Sequence, residues 1–118
     1  MNISETKVIY DLTQKTRQEK MVWHKLGDYD SRDFANSRIV EAYRVDYNDE
    51  SLELLVEVRV DDEFDTNVHR TITHLYILDE SGDHLWRFPD NDAIGDLLSA
   101  VQFQTGKVAD RLKNLMKD

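Results

Sequence analysis

The sequence predicts an α+β domain in which an antiparallel meander of four strands is covered on one face by two helices. Three observations carry this. Apolar residues alternate cleanly over 51–60, where Leu52, Leu54, Val56, Val58 and Val60 fall at every second position. The C-terminal quarter instead follows a 3.6-residue period. Short polar turns separate the strand-like runs, which favours hairpins over parallel crossovers. The 118 residues fit a single domain spanning 1–118, long enough to bury a core without a staple.

The first element reads as a helix from about residue 4 to 24. Val8, Ile9, Leu12, Val22, Trp23 and Leu26 lie on one side of it, and Ser4 is placed to cap it. Glu19 interrupts the stripe and marks a point where the helix ends early or bends. Residues 27–37, GDYDSRDFANS, are aperiodic turn chemistry. Strands follow at 38–47, 51–60, 68–78 and 84–88, with a tight hairpin at Asn48–Glu50. The turn DESGD places Gly82 where a left-handed conformation is needed.

Pro89 stops the fourth strand, and Asp90 or Asp92 is placed to cap a closing helix. Ile94, Leu97, Leu98, Val101, Val108, Leu112, Leu115 and Met116 form one stripe along it, with Gly106 a weak point in the middle. The predicted order is α-β-β-β-β-α.

Composition narrows function. The absence of cysteine excludes disulfides, thiolate nucleophiles and cysteine-ligated metals. Residues 1–20 do not read as a signal peptide and no later run is long enough to span a bilayer, so a soluble cytoplasmic protein is expected, with no membrane partner. The net charge of −9 is unevenly spread: residues 61–96 hold ten acids against Arg70 and Arg87, whereas 97–118 carry +2. Such a chain is not expected to bind nucleic acid directly. Its field suits a basic or nucleic-acid-binding protein partner, or solubility alone.

Candidate chemistry centres on HRTITH, residues 69–74. On a strand, His69 and His74 are an odd number apart and point to opposite faces, so they do not share a metal unless a bulge intervenes. The facing of His84, across a turn, depends on register. His69-Arg70-Thr71 resembles half the signature of the two-histidine phosphoesterases, but the second His-x-Thr is missing. DDEFDT, 61–66, alternates acids like a calcium loop yet lacks the glycine at position six and the closing glutamate. No phosphate loop or nucleophile elbow is present. Glu41, alternating with Ile39, Tyr43 and Val45, is a candidate half-buried acid. No catalytic residue, metal ligand or cofactor site is expected.

Two aromatics lack a place in the core. Phe103 falls opposite the C-terminal stripe, among Asp96, Lys107 and Asp110, and calls for a cover: the N-terminal helix with Tyr10 and Met21, or a second subunit, with Ala100 or Phe103 itself near a two-fold axis. Phe64 sits in the acidic segment with Asp61, Asp62, Glu63 and Asp65, where it either folds back as a plug or anchors a partner within a charged rim.

Trp23-His24-Lys25, the run 75–88 and IGDLLSAVQ at 94–102 resemble a loose group of small bacterial and phage proteins. These share a tryptophan near the end of a first helix, a strand–turn–strand and a closing amphipathic helix. The resemblance implies that fold and no activity or cofactor. The first expectation is therefore a non-catalytic protein-interaction module, with a homodimer among its forms. An acidic inhibitor that mimics nucleic acid, and a histidine-dependent hydrolase, are the alternatives.

Overall fold

The computed structural model describes residues 3–27, 37–61 and 68–117, with side chains described up to Arg59 and again from His69. Helix α1 (Glu5–Arg17) is followed by β1 (His24–Lys25), β2 (Ser37–Tyr47), β3 (Glu50–Asp61), β4 (Val68–Leu78), β5 (His84–Arg87), α2 (Asp92–Thr105) and α3 (Val108–Leu115). The sheet is antiparallel in the order β1-β2-β3-β4-β5. The predicted meander is thus present, with one more strand and a closing helix in two pieces.

Both differences have local causes. Helix α1 stops at Arg17 rather than 24, because Glu19 takes a left-handed φ of 60° and the amides of Lys20 and Met21 turn back to the Lys15 carbonyl. The freed residues run extended, so that His24 and Lys25 pair with Arg44 and Tyr43 as the edge strand β1. Trp23 holds this connection in place. Its indole N–H donates to Thr16 Oγ1 at 3.0 Å, and its backbone N–H donates to Gln104 Oε1 at 2.7 Å.

The closing helix breaks at Gly106–Lys107. Lys107 adopts φ 51°, a left-handed conformation that no α-helix continues. A Cβ on Gly106 would lie 2.9 Å from the Gln102 carbonyl oxygen, so only glycine fits the bend without a shift. Asn91, rather than Asp90 or Asp92, caps α2: its Oδ1 accepts from the Ala93 amide at 2.9 Å, and its Nδ2 donates to Thr6 Oγ1 on α1 at 2.7 Å. Ser4 caps α1 as predicted, accepting from the Lys7 amide.

The β2–β3 hairpin closes through two residues, Asn48 and Asp49, both with positive φ, which matches the right-handed twist of the strands. Gly82 takes φ 84° in the β4–β5 turn. The core lies between one sheet face and α1–α2. Tyr43, Val45, Leu52, Leu54 and Leu75 of the sheet meet Ile9, Ile94, Leu97 and Val101 of the helices, with Met21, Trp23 and Phe88 closing the ends. No helix among the described residues is long and apolar enough to cross a membrane.

Candidate functional site

The break at Lys107 decides the most exposed apolar surface. The C-terminal stripe was expected to run unbroken along the core. Its first half does, with Ile94, Leu97 and Val101 buried. In α3 no residue is buried: Leu112 is 49%, Leu115 81% and Met116 84% exposed. An eight-residue helix has too few turns to be stable in water by itself, and among the described residues it is held by little more than a half-buried Val108 and the bond from Arg111 Nε to the Gly106 carbonyl at 3.0 Å. Arg111 and Lys113 within it, flanked by Lys107 and Lys117, help give residues 97–118 a charge of +2.

Phe103 borders the same region. It is 48% exposed, so the N-terminal helix does not cover it; Met21 is committed to the core and Tyr10 is itself exposed. Ala100, by contrast, is buried. Between the end of α1 and the α2–α3 bend runs a groove of about 500 Å³, lined by Arg17, Glu19, Ala100, Phe103, Lys107 and Ala109 among others. The structure brings Phe103 and Ala100, both named from the sequence, to one groove, which α3 borders through Ala109 and Asp110. The signal for that placement of α3 was Gly106, read as a weak point rather than as a bend. Phe64, Asp62, Glu63 and Asp65 lie outside the described residues, as does the side chain of Asp61. The calcium-loop reading falls there too.

The histidines resolve by strand parity. The β3–β4 register runs without interruption from Asp61↔Val68 to Ser51↔Leu78, so no bulge lies between His69 and His74, and they occupy opposite faces. His74 points to the face without helices, where it joins a polar network that sequence reasoning did not find. Glu57 and Glu53, both buried, are its base. Arg87 Nε donates to His74 Nδ1 at 2.9 Å, and His74 Nε2 lies 2.9 Å from Glu57 Oε1. An arginine only donates, so Nδ1 is the acceptor and the ring proton sits on Nε2, directed at Glu57. Arg87 also donates to Asp90 at 2.7 Å. His84 Nε2 lies 2.6 Å from Glu53 Oε1, and its ring stacks on Tyr76 with centroids 3.8 Å apart. The β4–β5 register, which pairs Leu78 with His84, brings these groups together.

Burial pushes the Glu57 carboxyl up, but hydrogen bonds from His74 and Ser37 and the Arg59 guanidinium outweigh it and hold the group below its usual value. Asp90 is likewise held low, by its hydrogen bond to and charge attraction from Arg87. Both ring nitrogens of His74 are engaged, and the arrangement is a clasp that ties β3, β4 and β5 together. Glu41 is half-buried as predicted. It accepts from Tyr43 Oη at 2.6 Å and from Gln102 Nε2 at 3.1 Å. Burial first, then the Glu41 carboxylate, drives the Tyr43 hydroxyl far above its usual range. Among the described residues, no three His, Cys, Asp or Glu side chains converge as a metal set would.

No protein-family model, no curated protein and no solved structure matches this chain.

Proposed function

We propose that the protein is a non-catalytic protein-interaction module whose binding surface is the groove at Phe103 together with α3, and that its first occupant is a second copy of the chain. The single observation that carries this reading is a regular helix with no buried residue, bearing Leu112, Leu115 and Met116. Covering these three side chains and Phe103 would return about 4–8 kcal/mol, from 1.5–3 kcal/mol per fully buried side chain scaled by their exposure. That is a usable driving force against the cost of association. A two-fold axis beside α3 presents the same patch from both subunits and closes the assembly.

The test is sedimentation of the protein and of Leu115→Asp at tens of micromolar. The reading expects a dimer for the first and a monomer with the same melting temperature for the second. A wild-type monomer throughout that range refutes it.

A second reading has a specific observation in its favour. Glu80, Asp83, Asp90, Asp92 and Asp96 are all exposed within the strongly acidic segment. This suits an inhibitor that occupies the nucleic-acid channel of an enzyme. Tight, salt-sensitive binding to a nuclease or polymerase that is displaced by duplex DNA would favour this reading. Binding indifferent to competing DNA would remove it.

A further inference from the structure

We propose that the free edge of β4 is a strand-addition site for an extended, basic segment of another protein. This surface is separate from the C-terminal helices and does not depend on the role given to them. Strand β4 runs from Val68 to Leu78, but β5 pairs only with Tyr76, Ile77 and Leu78. The sheet ends at β5, so the β4 backbone from His69 to Thr73 has no strand on its outer side among the described residues.

The direction of its polar groups follows from one bond. The Phe88 amide donates to the Leu75 carbonyl at 2.9 Å, so the backbone of Leu75 faces away from β3. Backbone groups in a strand alternate sides, and the register here is continuous. Thr73, Thr71 and His69 therefore also direct N–H and C=O outward. That is the ladder an added strand reads.

An open groove lies beside this edge. It measures about 590 Å³ and separates the edge from the start of α2, lined by Thr71, Ile72 and Thr73 on one side and Asp92, Ile94 and Gly95 on the other. Arg70, Asp90 and Asn91 complete the lining; Asp90 is paired with Arg87, whereas Asp92 has no ion pair among the described residues. The described segment that contains both walls, 69–96, holds six acids against Arg70 and Arg87 and so carries −4. A neutral or acidic segment would gain the backbone bonds but meet this field, whereas lysine or arginine at the positions facing α2 would meet Asp92. β4 also carries none of the lysines or prolines that protect exposed edges; only His69 and Arg70 stand there.

The experiment uses the full chain and two fluorescein-labelled octapeptides, one of alternating lysine and valine and one of alternating glutamate and valine. The lysine peptide should bind at least tenfold tighter in 50 mM salt, and should slow hydrogen exchange at the Thr71 and Thr73 amides. Thr71→Pro removes an outward N–H at an edge, where proline is tolerated, and should abolish binding. Asp92→Lys, a milder surface change, should weaken it about tenfold or more. Equal binding of the two peptides, or binding unchanged in both variants, overturns the proposal. Protection of Thr71 and Thr73 in the absence of peptide, lost on dilution, would mean that the edge is taken by a second copy, and would overturn the stated occupant.

Discussion

Replacing Gln104 with alanine should be among the most damaging single changes to the polar framework. Its side chain joins α2 to the end of α1 across more than eighty residues. Nε2 donates to the carbonyls of Thr16 at 3.0 Å and Met21 at 2.7 Å, while Oε1 accepts from the Trp23 amide at 2.7 Å. These groups lie where α1 ends at Arg17. Alanine leaves the Trp23 amide and the Met21 carbonyl without that partner, whereas the Thr16 carbonyl keeps its bond from the Glu19 amide at 3.1 Å. A buried polar group left unmade costs about 1–3 kcal/mol, and partial access of water to this site lowers the sum to about 2–4 kcal/mol. Gln104→Glu keeps the acceptor for Trp23 but sets a carboxylate against two carbonyls, so it should fare no better. Gln102→Ala, which removes the bonds to Glu41 and the Tyr43 hydroxyl but frees no backbone group, is the control and should cost about 1 kcal/mol. Urea unfolding followed by tryptophan fluorescence measures all three, and the melting temperature of the alanine variant should fall by roughly 10 °C. A loss below about 1 kcal/mol for Gln104→Ala would refute the claim that this amide holds the α1–β1 connection.

Two further outcomes follow from the same structure. The Glu57 carboxyl is held below its ordinary value of 4.5, so it contributes stability that is present above that pH and lost as pH falls through the lower folded value; Glu57→Gln should flatten the decline in stability between about pH 5 and 3, and an unchanged slope would remove the network's role. Gly106→Ala should destabilise the chain by about 1 kcal/mol or more in urea unfolding, although alanine is the better helix former by about 1 kcal/mol, because its Cβ would press on the Gln102 carbonyl; a stabilised variant would mean that the α2–α3 bend is not built in.

What the sequence made legible was whatever repeats. The run 68–78, rich in β-branched and aromatic residues between two turn-like segments, gives β4 with the same bounds. Parity alone separated His69 from His74. What it hid depends on single backbone choices. Glu19 and Lys107 both take left-handed conformations that their residue types do not announce, and each ends a helix that periodicity would continue. The second case matters most, because it turns Leu112, Leu115 and Met116 from core into surface. The clasp at Glu53, Glu57, His74, His84 and Arg87 was hidden because it needs the register of three strands at once. Gln104 reads as an ordinary polar helix residue; its importance comes from where a distant helix stops.

The most direct measurement is the mass of the protein in solution. Sedimentation equilibrium across about 1–100 μM should show a species of twice the 13.9 kDa chain mass, converted to the single-chain mass by Leu115→Asp with no change in circular dichroism. A single-chain mass for the unaltered protein at every concentration would contradict the proposal that α3 is covered by a second copy.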